Sequence, residues 1–587
     1  MKFFKFYSLA LAVALMLGAC SSSDDLNTAN VGKSYIAVNI KSVGTAGADT
    51  RADYNQGGGT YEDGTANEGA ISKVRFFFFN SDGSAYIMKG TDVNFLELNA
   101  SVSSAGEAGQ LQTIEGKTTA MLVIDGNTKT APAYMIAVVN PQTLSKLEKK
   151  AYRESQLRDE FTDQSFVKIT TDGTGNKQYG DFVMSNSVYA ENGARVCASS
   201  VSGHVEGTSD AATKNPVDIY VERVVAKATT NVNTDKGWEQ IASGADNGKY
   251  KIKVGKINID AEHEKDVYAV VQGWGLADEN RTAELEKQID VTTNWTSTTL
   301  GIDPWTTPDY HRCFWSSSVP FTPSSGSNPI VNHAFSAFTT PFGTTPLYTC
   351  PNTFTTGEFK ASNNYEKPYD NTLTKVLVAA KLVYYDDANN AHPADICKYR
   401  GIQILGADNV LKQVAKDHSE YWTVDPTNPS KHVLLAQTDL EYTRTNLTGS
   451  ETDQLKSYEV RPVLKAGVKV YKKTSDGSFE TTDSNDDLNN SLAQSPVQVR
   501  KDGMTYYFTP IRHLAQNKTE MGYYGVVRNH SYRITINTIS GFGTPVYDPD
   551  EIIDPVIPKD TETYLAARIN VLSWRVVPSS VDLDATK

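Results

Sequence analysis

Few residues of this chain are spaced as a catalytic or metal site would need them. Its nine histidines are scattered, and nucleophile-elbow, zinc-protease, phosphate-loop and dinucleotide motifs are missing from any convincing context. His263 has an acid on each side but lies between predicted strands, which favours a solvated turn. Asp483, Asp486 and Asp487 lack the glycine and terminal glutamate of a calcium loop, which favours a plain acidic loop. We therefore expect no enzyme, no metal and no cofactor.

The residues near the N-terminus predict covalent modification. Lys2 and Lys5 precede an apolar run over 6–17 that is too short to span a bilayer, so the run predicts a cleaved signal. The run leads into Leu17-Gly18-Ala19-Cys20, which resembles the lipobox of bacterial lipoproteins. We expect residues 1–19 to be removed and Cys20 to carry the lipid (palmitate). The alternative is an ordinary signal with a chance cysteine.

Four further cysteines could do redox chemistry: Cys197, Cys313, Cys350 and Cys397. None of them has the spacing of a zinc site. An even number in an exported chain permits two disulfides without requiring them, and buried free thiols are equally compatible with the sequence.

A possible proteolytic site follows the first predicted strand. Residues 35–43 alternate so that Ile36, Val38 and Ile40 share one face, which predicts a half-buried strand. The small, polar residues that follow predict an exposed loop, with Arg51 in front of Ala52. A trypsin-like protease could cut there and release a propeptide, residues 20–51, that contains the strand. The alternative is a plain loop that happens to contain an arginine.

The last segment of the chain combines strong strand character with separation from what precedes it. Four prolines between 545 and 562 predict a stiff extended linker. After it, in residues 563–587, apolar positions alternate on one face and then on the other: Leu565, Ala567, Ile569 and Val571, then Leu572, Trp574 and Val576. Burying them would contribute on the order of 10 kcal/mol gross. The pattern favours a strand donated to another subunit's sheet, and the alternative is a last strand folded into its own domain.

The elements between these two ends predict an all-β (mainly β) chain of two β-sandwich domains with a few short helices. The apolar runs at 74–80 and 133–140 predict central strands buried on both faces, and the spacing over 141–161 predicts a helix. The alternation changes phase at Val224-Val225, so we place the boundary there, between an N-terminal domain (52–224) and a C-terminal domain (225–544). Thr, Ser, Pro and Asn dominate 290–370, which predicts long loops.

Composition limits the partners. The formal net charge of -13 opposes binding to a nucleic-acid backbone. Trp295, Trp305 and Trp315 lie in the predicted loops and could stack on sugars, which leaves a carbohydrate-binding surface lipoprotein as the main alternative function.

Several segments resemble the fimbrillins of Bacteroidales short (minor) fimbriae. The resemblance is most specific at 506–514, 525–532, 541–545 and 569–577, and the lipobox, the Arg51-Ala52 pair and the 218–227 crossover follow in the same order. It implies transthyretin-like sandwich domains, export as an outer-membrane lipoprotein precursor, removal of the leading strand by an Arg-specific protease, and polymerisation by donor-strand exchange.

The resemblance also implies a role. A chain with both a removable leading strand and a donor strand is expected to be the shaft subunit of a cell-surface fimbria (pilus) that supports adhesion, biofilm formation and virulence. Its partners would be further copies of itself, accessory fimbrial subunits and receptors on host or bacterial surfaces. An anchor or tip subunit is the alternative within the family.

Overall fold

The computed structural model describes residues 33–42, 60–61, 64–100, 111–114, 117–125, 131–173, 177–260, 263–289, 303–304, 310–318, 330–343, 345–353, 373–445, 455–481, 484–515, 522–553, 555, 564–572 and 575–579. These residues fold mainly into β-strands, which confirms the mainly-β prediction. None of the described helices combines the length and the apolarity needed to cross a lipid bilayer.

The first half of the described chain contributes fifteen strands. They are β1 Lys33–Ser42, β2 Thr60–Tyr61, β3 Lys73–Phe79, β4 Phe95–Asn99, β5 Leu111–Ile114, β6 Lys117–Asp125, β7 Tyr134–Val139, β8 Thr162–Asp163, β9 Lys168–Thr171, β10 Lys177–Gly180, β11 Met184–Asn186, β12 Tyr189–Glu191, β13 Ala194–Val196, β14 Ser199–Ser200 and β15 Val217–Arg223.

The strands that follow begin with β16. They are β16 Ala226–Val232, β17 Glu239–Gln240, β18 Tyr250–Asn258, β19 Glu264–Ala277, β20 Glu279–Asn280, β21 Ala283–Glu284, β22 Asp303–Pro304, β23 Tyr310–Arg312, β24 Ile330–Val331, β25 Leu347–Thr349, β26 Lys375–Tyr385, β27 Ala391–Pro393, β28 Ile396–Tyr399, β29 Ile402–Leu405, β30 Tyr421–Asp425, β31 Asn428–Leu434, β32 Leu440–Thr443, β33 Glu459–Leu464, β34 Tyr471–Lys473, β35 Phe479–Glu480, β36 Val497–Val499, β37 Met504–Pro510, β38 Ser531–Ser540, β39 Thr544–Pro545, β40 Tyr564–Leu572 and β41 Arg575–Ser579.

The helices of the described chain are short. The α-helices are α1 Ala66–Gly69, α2 Ser209–Lys214, α3 Ala407–Asp417 and α4 Ser484–Ala493; 3-10 turns lie at Pro141–Thr143, Thr234–Lys236, Phe335–Ala337, Gln437–Asp439 and Lys501–Gly503, and a π-helix at Gln156–Glu160. Asp486 and Asp487, predicted to lie in a loop, lie instead in the first turn of α4, where carboxylates stabilise the helix dipole.

The helix predicted for 141–161 is wrong over most of its length. The described chain has only the 3-10 turn and the π-helix at the two ends of that range. Between them, the backbone N–H of Lys146 donates to Asp163 (2.7 Å). Asn94 accepts from the N–H of Tyr152 (3.0 Å) and donates to its carbonyl (2.9 Å). Side chains from outside this stretch thus satisfy backbone groups that a helix would have paired.

The N-terminal part is organised by one large sheet, in the order β4-β3-β7-β11-β15-β1-β6-β5, with β14 added on β7. Strand β3 is buried on both faces, because its alternate side chains enter two different apolar clusters. Phe76 and Phe78 enter one apolar cluster, while Phe77 and Phe79 enter a second cluster on the opposite face. The predicted central strands at 74–80 and 133–140 are therefore confirmed as strands β3 and β7.

Two facing sheets organise the part of the chain after residue 225. One has the order β2-β41-β40-β38-β16-β25 and the other β17-β18-β19-β26-β37-β39, with β27 added on β26. Apolar side chains of β19, β26 and β38 share one cluster between the sheets, and that cluster continues across residue 224 to Phe77 and Phe79. Strand β15 ends at Arg223 in the first sheet, and β16 begins at Ala226 in the second.

An insert of residues 396–499 projects from the second sandwich between β27 and β37. It contains the sheets β29-β28-β36-β33-β32 and β31-β30-β34-β35, together with α3 and α4. Its core is a separate cluster that includes Tyr399, Val414 and Leu488. Arg500 holds the two ends of the insert together, because both its backbone N–H and its Nη1 donate to the carbonyl of Ile396 (3.3 Å each).

Candidate assembly site

Strand β1 occupies the middle of the large sheet rather than its edge. It runs parallel to β15, with Val38 to Ser42 opposite Val217 to Val221, and antiparallel to β6, with Lys33 to Ile40 opposite Asp125 to Thr118. The strand predicted from the alternation at residues 35–43 is thus confirmed. Both of its edges are hydrogen-bonded, so the large sheet is continuous only while β1 is in place.

The side chains of β1 complete an apolar core. Ile36 and Val38 are fully buried and Ile40 is 2% exposed. They pack in one cluster with residues of β3, β6, β7 and β15: Val74, Phe76, Leu122, Ile124, Met135 and Val217. Burying each such side chain contributes roughly 1.5–3 kcal/mol. Apolar packing is therefore a substantial part of what holds β1 in the sheet.

Polar contacts set the register of β1 along its neighbours. The N–H of Tyr35 donates to the carbonyl of Glu206 (2.8 Å), and the N–H of Glu206 donates back to Tyr35 (2.9 Å). Farther along the strand, Asn39 Nδ2 donates to Asp218 Oδ1 (2.9 Å). Removing β1 would leave β15 and β6 as unpaired strand edges on either side of an apolar groove, which is the kind of surface that binds a further strand.

The C-terminal segment is paired within its own chain. Strand β40 runs antiparallel to β38, with Leu572 opposite Ser531 and Tyr564 opposite Ser540, and β41 continues the sheet from β40 to β2. In the uncleaved chain, the structure therefore has the arrangement that the sequence left as the alternative, a last strand folded into its own domain. The predicted donor residues Leu565, Ala567, Ile569, Val571, Leu572 and Val576 belong to strands described by their backbone, and Trp574 lies outside the described residues.

The predicted linker at 545–562 begins later than expected. Thr544 and Pro545 form β39 against β37, and Val546 and Ile553 are buried in a cluster with Leu377. The N–H of Ile553 donates to the carbonyl of His333 (3.0 Å). Proline content could not show that this part of the chain packs against a sheet, nor that it turns at Asp548–Glu551, where the N–H of Glu551 donates to the carbonyl of Asp548 (3.3 Å). Residues 556–563 lie outside the described residues.

The residues predicted to be modified lie outside the described chain. They are Cys20, Arg51 and Ala52. The described elements nearest to Arg51 are β1, which ends at Ser42, and β2, which begins at Thr60. A cut at Arg51 would therefore separate β1 from every other described strand.

The four internal cysteines are buried thiols. Cys197, Cys313, Cys350 and Cys397 are not joined to one another by disulfide bonds, so of the two alternatives the structure has the buried thiols. Burial raises the pKa of the Cys313 thiol to about 11 and those of Cys350 and Cys397 to about 12. Such thiols stay protonated and inert at neutral pH.

The described residues offer little to a metal ion or a stacked sugar. They contain no group of three His, Cys, Asp or Glu side chains able to hold a metal ion. Trp315 is fully buried in the main core, so it does not present a face to a sugar. Trp295 and Trp305 lie outside the described residues.

Sequence reasoning missed a buried polar seam where the first sheet meets the second sandwich. Glu222 pairs with Lys287 (2.9 Å) and with Arg528 (3.3 Å). Arg528 also donates to Ser185 Oγ (3.0 Å). Burial raises the pKa of the neighbouring Glu286 carboxyl to about 8. Glu222 stands in the polar phase of the alternation over 218–227, together with Asp218 and Tyr220, so the sequence pattern carried no signal that its side chain is buried.

A second buried pair ties α1 to β16. The Glu68 carboxylate contacts Lys227 Nζ (2.8 Å) and accepts a short hydrogen bond from Tyr348 Oη. Although burial opposes it, hydrogen bonds from Lys227 and Tyr348 hold the pKa of Glu68 below its usual range. Both seams lie after Arg51, so cleavage there would leave them in place.

Comparison with known proteins gives a family match at the C-terminal end. Residues 499–579 match the family described as "Major fimbrial subunit protein type IV, Fimbrillin, C-terminal". The matched range runs from β36 through β41 and so includes β38 together with the segment paired to it. Among curated proteins, the sequence comparison found no match.

Solved structures with a similar chain path include three fimbrial proteins. One is a fimbrilin (fimA) from Porphyromonas gingivalis W83, at 11% identity over 94% of this chain and 98% of that chain, TM-score 0.32. Another is the tip fimbrial protein Mfa3 from Porphyromonas gingivalis with C-terminal truncation, at 10% identity over 91% and 99%, TM-score 0.25. A fimbrial assembly protein from Parabacteroides distasonis ATCC 8503 matches at 10% identity over 61% and 85%, TM-score 0.23.

The assignment rests on the family match, because the solved structures are too distant in sequence and geometry to add an argument. The match shows that residues 499–579 are similar to the C-terminal part of the fimbrillins, the family that the sequence resemblance indicated.

Proposed function

We propose that this protein is the structural shaft subunit of a cell-surface fimbria and that it polymerises by donor-strand exchange. The observation that carries the proposal is the position of β1. A strand at the start of the chain lies in the centre of a sheet, pairs on both edges and buries Ile36, Val38 and Ile40. Removing a strand of that kind creates an apolar groove with two open edges, which favours the addition of a strand from another subunit.

The proposed precursor is an outer-membrane lipoprotein. Acylation at Cys20 would hold the chain at the outer membrane, and an Arg-specific protease would then cut between Arg51 and Ala52. The cut would release the lipid and β1 together, so that detachment from the membrane and opening of the groove are a single event.

The proposed donor is the segment 563–577 of a neighbouring copy. In the full-length chain β1 fills the groove, and the C-terminal segment lies on β38. Assembly therefore requires that the segment leave β38 of its own chain and enter the opened groove of the next. Possession of both a removable strand and a donor segment favours the shaft over the tip or the anchor. Adhesion and biofilm formation would follow from the assembled shaft and its accessory subunits.

N-terminal sequencing of protein taken from assembled fimbriae tests this function. We expect the sequence to begin at Ala52, and unheated samples to give a ladder of polymers on gels that collapses on heating. Assembled protein that still begins at Cys20 would contradict the proposal. A monomer that begins at Cys20 and binds glycan would support the carbohydrate-binding alternative instead.

A further inference from the structure

The C-terminal segment repeats the side-chain order of the strand that β1 supplies. Ser34-Tyr35-Ile36-Ala37-Val38-Asn39-Ile40 reads against Thr563-Tyr564-Leu565-Ala566-Ala567-Arg568-Ile569 with tyrosine, alanine and isoleucine identical at three positions. A small hydroxyl residue and a branched aliphatic residue are kept at two more. The two strands stand at opposite ends of the chain, so the repetition points to one binding site that both can fill.

The environment of β1 explains why these positions match. Ser34 is 2% exposed, so its place admits only a small polar side chain. Ala37 lies on the face opposite Ile36 and Val38, yet it is only 8% exposed, so a large side chain would not fit there either. Thr563 at the place of Ser34 and Ala566 at the place of Ala37 satisfy both limits.

Other alignments of the segment fail at the same places. Moving it by two residues puts Leu565 in the place of Ser34 and the charged Arg568 in the place of Ala37. The other alignment places Leu572, Trp574 and Val576 at the positions of Ile36, Val38 and Ile40. It puts the large Trp574 side chain in the place of the fully buried Val38. Overpacking of this kind in a filled core is destabilising.

Resting on the donor-strand function proposed above, we propose that residues 563–569 enter the groove of the next copy in the register of residues 34–40, with Arg568 opposite Asp218. In the full-length chain Asn39 is opposite Asp218 and donates a hydrogen bond to it (2.9 Å). Asp218 is exposed and lies on β15, which remains after a cut at Arg51. The donor segment thus replaces the neutral Asn39 side chain by a cationic one opposite the Asp218 carboxylate.

This replacement distinguishes the donor from the leading strand. The leading strand fills the groove better, because Ala567 is smaller than Val38, whereas the donor alone brings a charge complementary to Asp218. Charge complementarity steers association and selects partners. Asp218 is therefore the residue by which the open groove recognises another copy of this chain.

Disulfide trapping tests the register. Asp218→Cys would be combined in turn with Arg568→Cys, Asn570→Cys and Arg575→Cys, and each processed chain would be assembled and mildly oxidised. We expect cross-linked polymers with Arg568→Cys. Trapping at Asn570→Cys or Arg575→Cys would overturn the register in favour of one of the two other alignments, and no trapping in any pair would overturn it as well. The four buried native thiols are present in every variant. The chains with a single introduced cysteine are the controls for cross-links that do not come from the designed pair.

Charge exchange provides an independent measurement. Asp218→Lys and Arg568→Asp should each slow polymerisation roughly fivefold at low salt, and the double variant should recover the original rate. Asn570→Asp is the control and should have no effect. Equal slowing by the control, or no recovery in the double variant, would overturn the pairing. Chains that end at Pro558 distinguish the donor-strand function from the proposed register. If these chains polymerise, the donor-strand function is wrong. If they do not polymerise but the register tests fail, only the register is wrong.

Discussion

Replacing Ile36 with alanine should weaken the hold of the leading strand on the rest of the protein. The side chain is fully buried in the cluster that β1 shares with β3, β6 and β7. An isoleucine-to-alanine change at such a site costs about 2–5 kcal/mol, from lost apolar contact and from the cavity that remains. We expect the free energy of unfolding of the uncleaved chain to fall by that amount, measured by denaturant titration. Ile402→Ala is the matched control, since Ile402 is 57% exposed and its loss should cost at most about 0.5 kcal/mol.

The same substitution should also act on assembly. After cleavage, the peptide that contains β1 stays in the groove only through non-covalent contacts, and about 1.4 kcal/mol corresponds to a tenfold change in its dissociation constant. Ile36→Ala should therefore weaken peptide binding by about 30-fold or more, and polymerisation should begin sooner after protease is added. Light scattering against time would follow it. Destabilisation no larger than that of Ile402→Ala, or an unchanged lag, would refute the claim that β1 closes the groove.

Three further outcomes are expected. Ending the chain after Pro558 should leave both sandwiches folded by circular dichroism but monomeric by size-exclusion chromatography; surviving polymers would reject the donor segment. Arg51→Ala should leave the chain uncleaved and without filaments in electron microscopy, whereas normal filaments would argue against activation at this site. Glu286 has a folded-state pKa of about 8, raised by burial, so the folded chain holds a proton that the unfolded chain loses near pH 4.5. Its contribution to stability is complete below that pH and disappears as the pH rises through about 8. Glu286→Gln should flatten the dependence of melting temperature on pH across that range, and an unchanged slope would contradict it.

Local alternation was enough to predict the strand at the heart of the site. Ile36, Val38 and Ile40 repeat with period two, and a strand needs no more than that to have one apolar face. Periodicity could not show that β1 lies in the centre of the sheet, because its partners β15 and β6 come from distant parts of the sequence. Its importance for assembly depends on that position.

Helices were harder to place than strands. The spacing of Leu144, Leu147 and Leu157 fits a helix, yet Asp163 and Asn94 bond the backbone of this stretch in another conformation. Helix α3 was missed although Val410, Leu411, Val414 and Ala415 bury one of its faces. The signal was present there, but nothing local indicated that residues 396–499 form a core of their own.

Pairing of the C-terminal segment with β38 was the largest departure from expectation. Its apolar pattern showed correctly that it needs a partner strand. The pattern could not specify which strand, because a segment with alternating apolar residues can pair with any unpaired strand edge that lies beside an apolar surface. In the full-length chain β1 already occupies the groove, and the open edge of β38 is the one that the segment meets.

Because Arg500 fastens the beginning of the 396–499 insert to its end, those residues form a closed appendage whose core is separate from the core around β1. In the proposed mode of assembly, substitutions or changes of length inside such an appendage would leave the groove that β1 fills unchanged. The appendage could then vary in sequence while the joint between subunits stays constant.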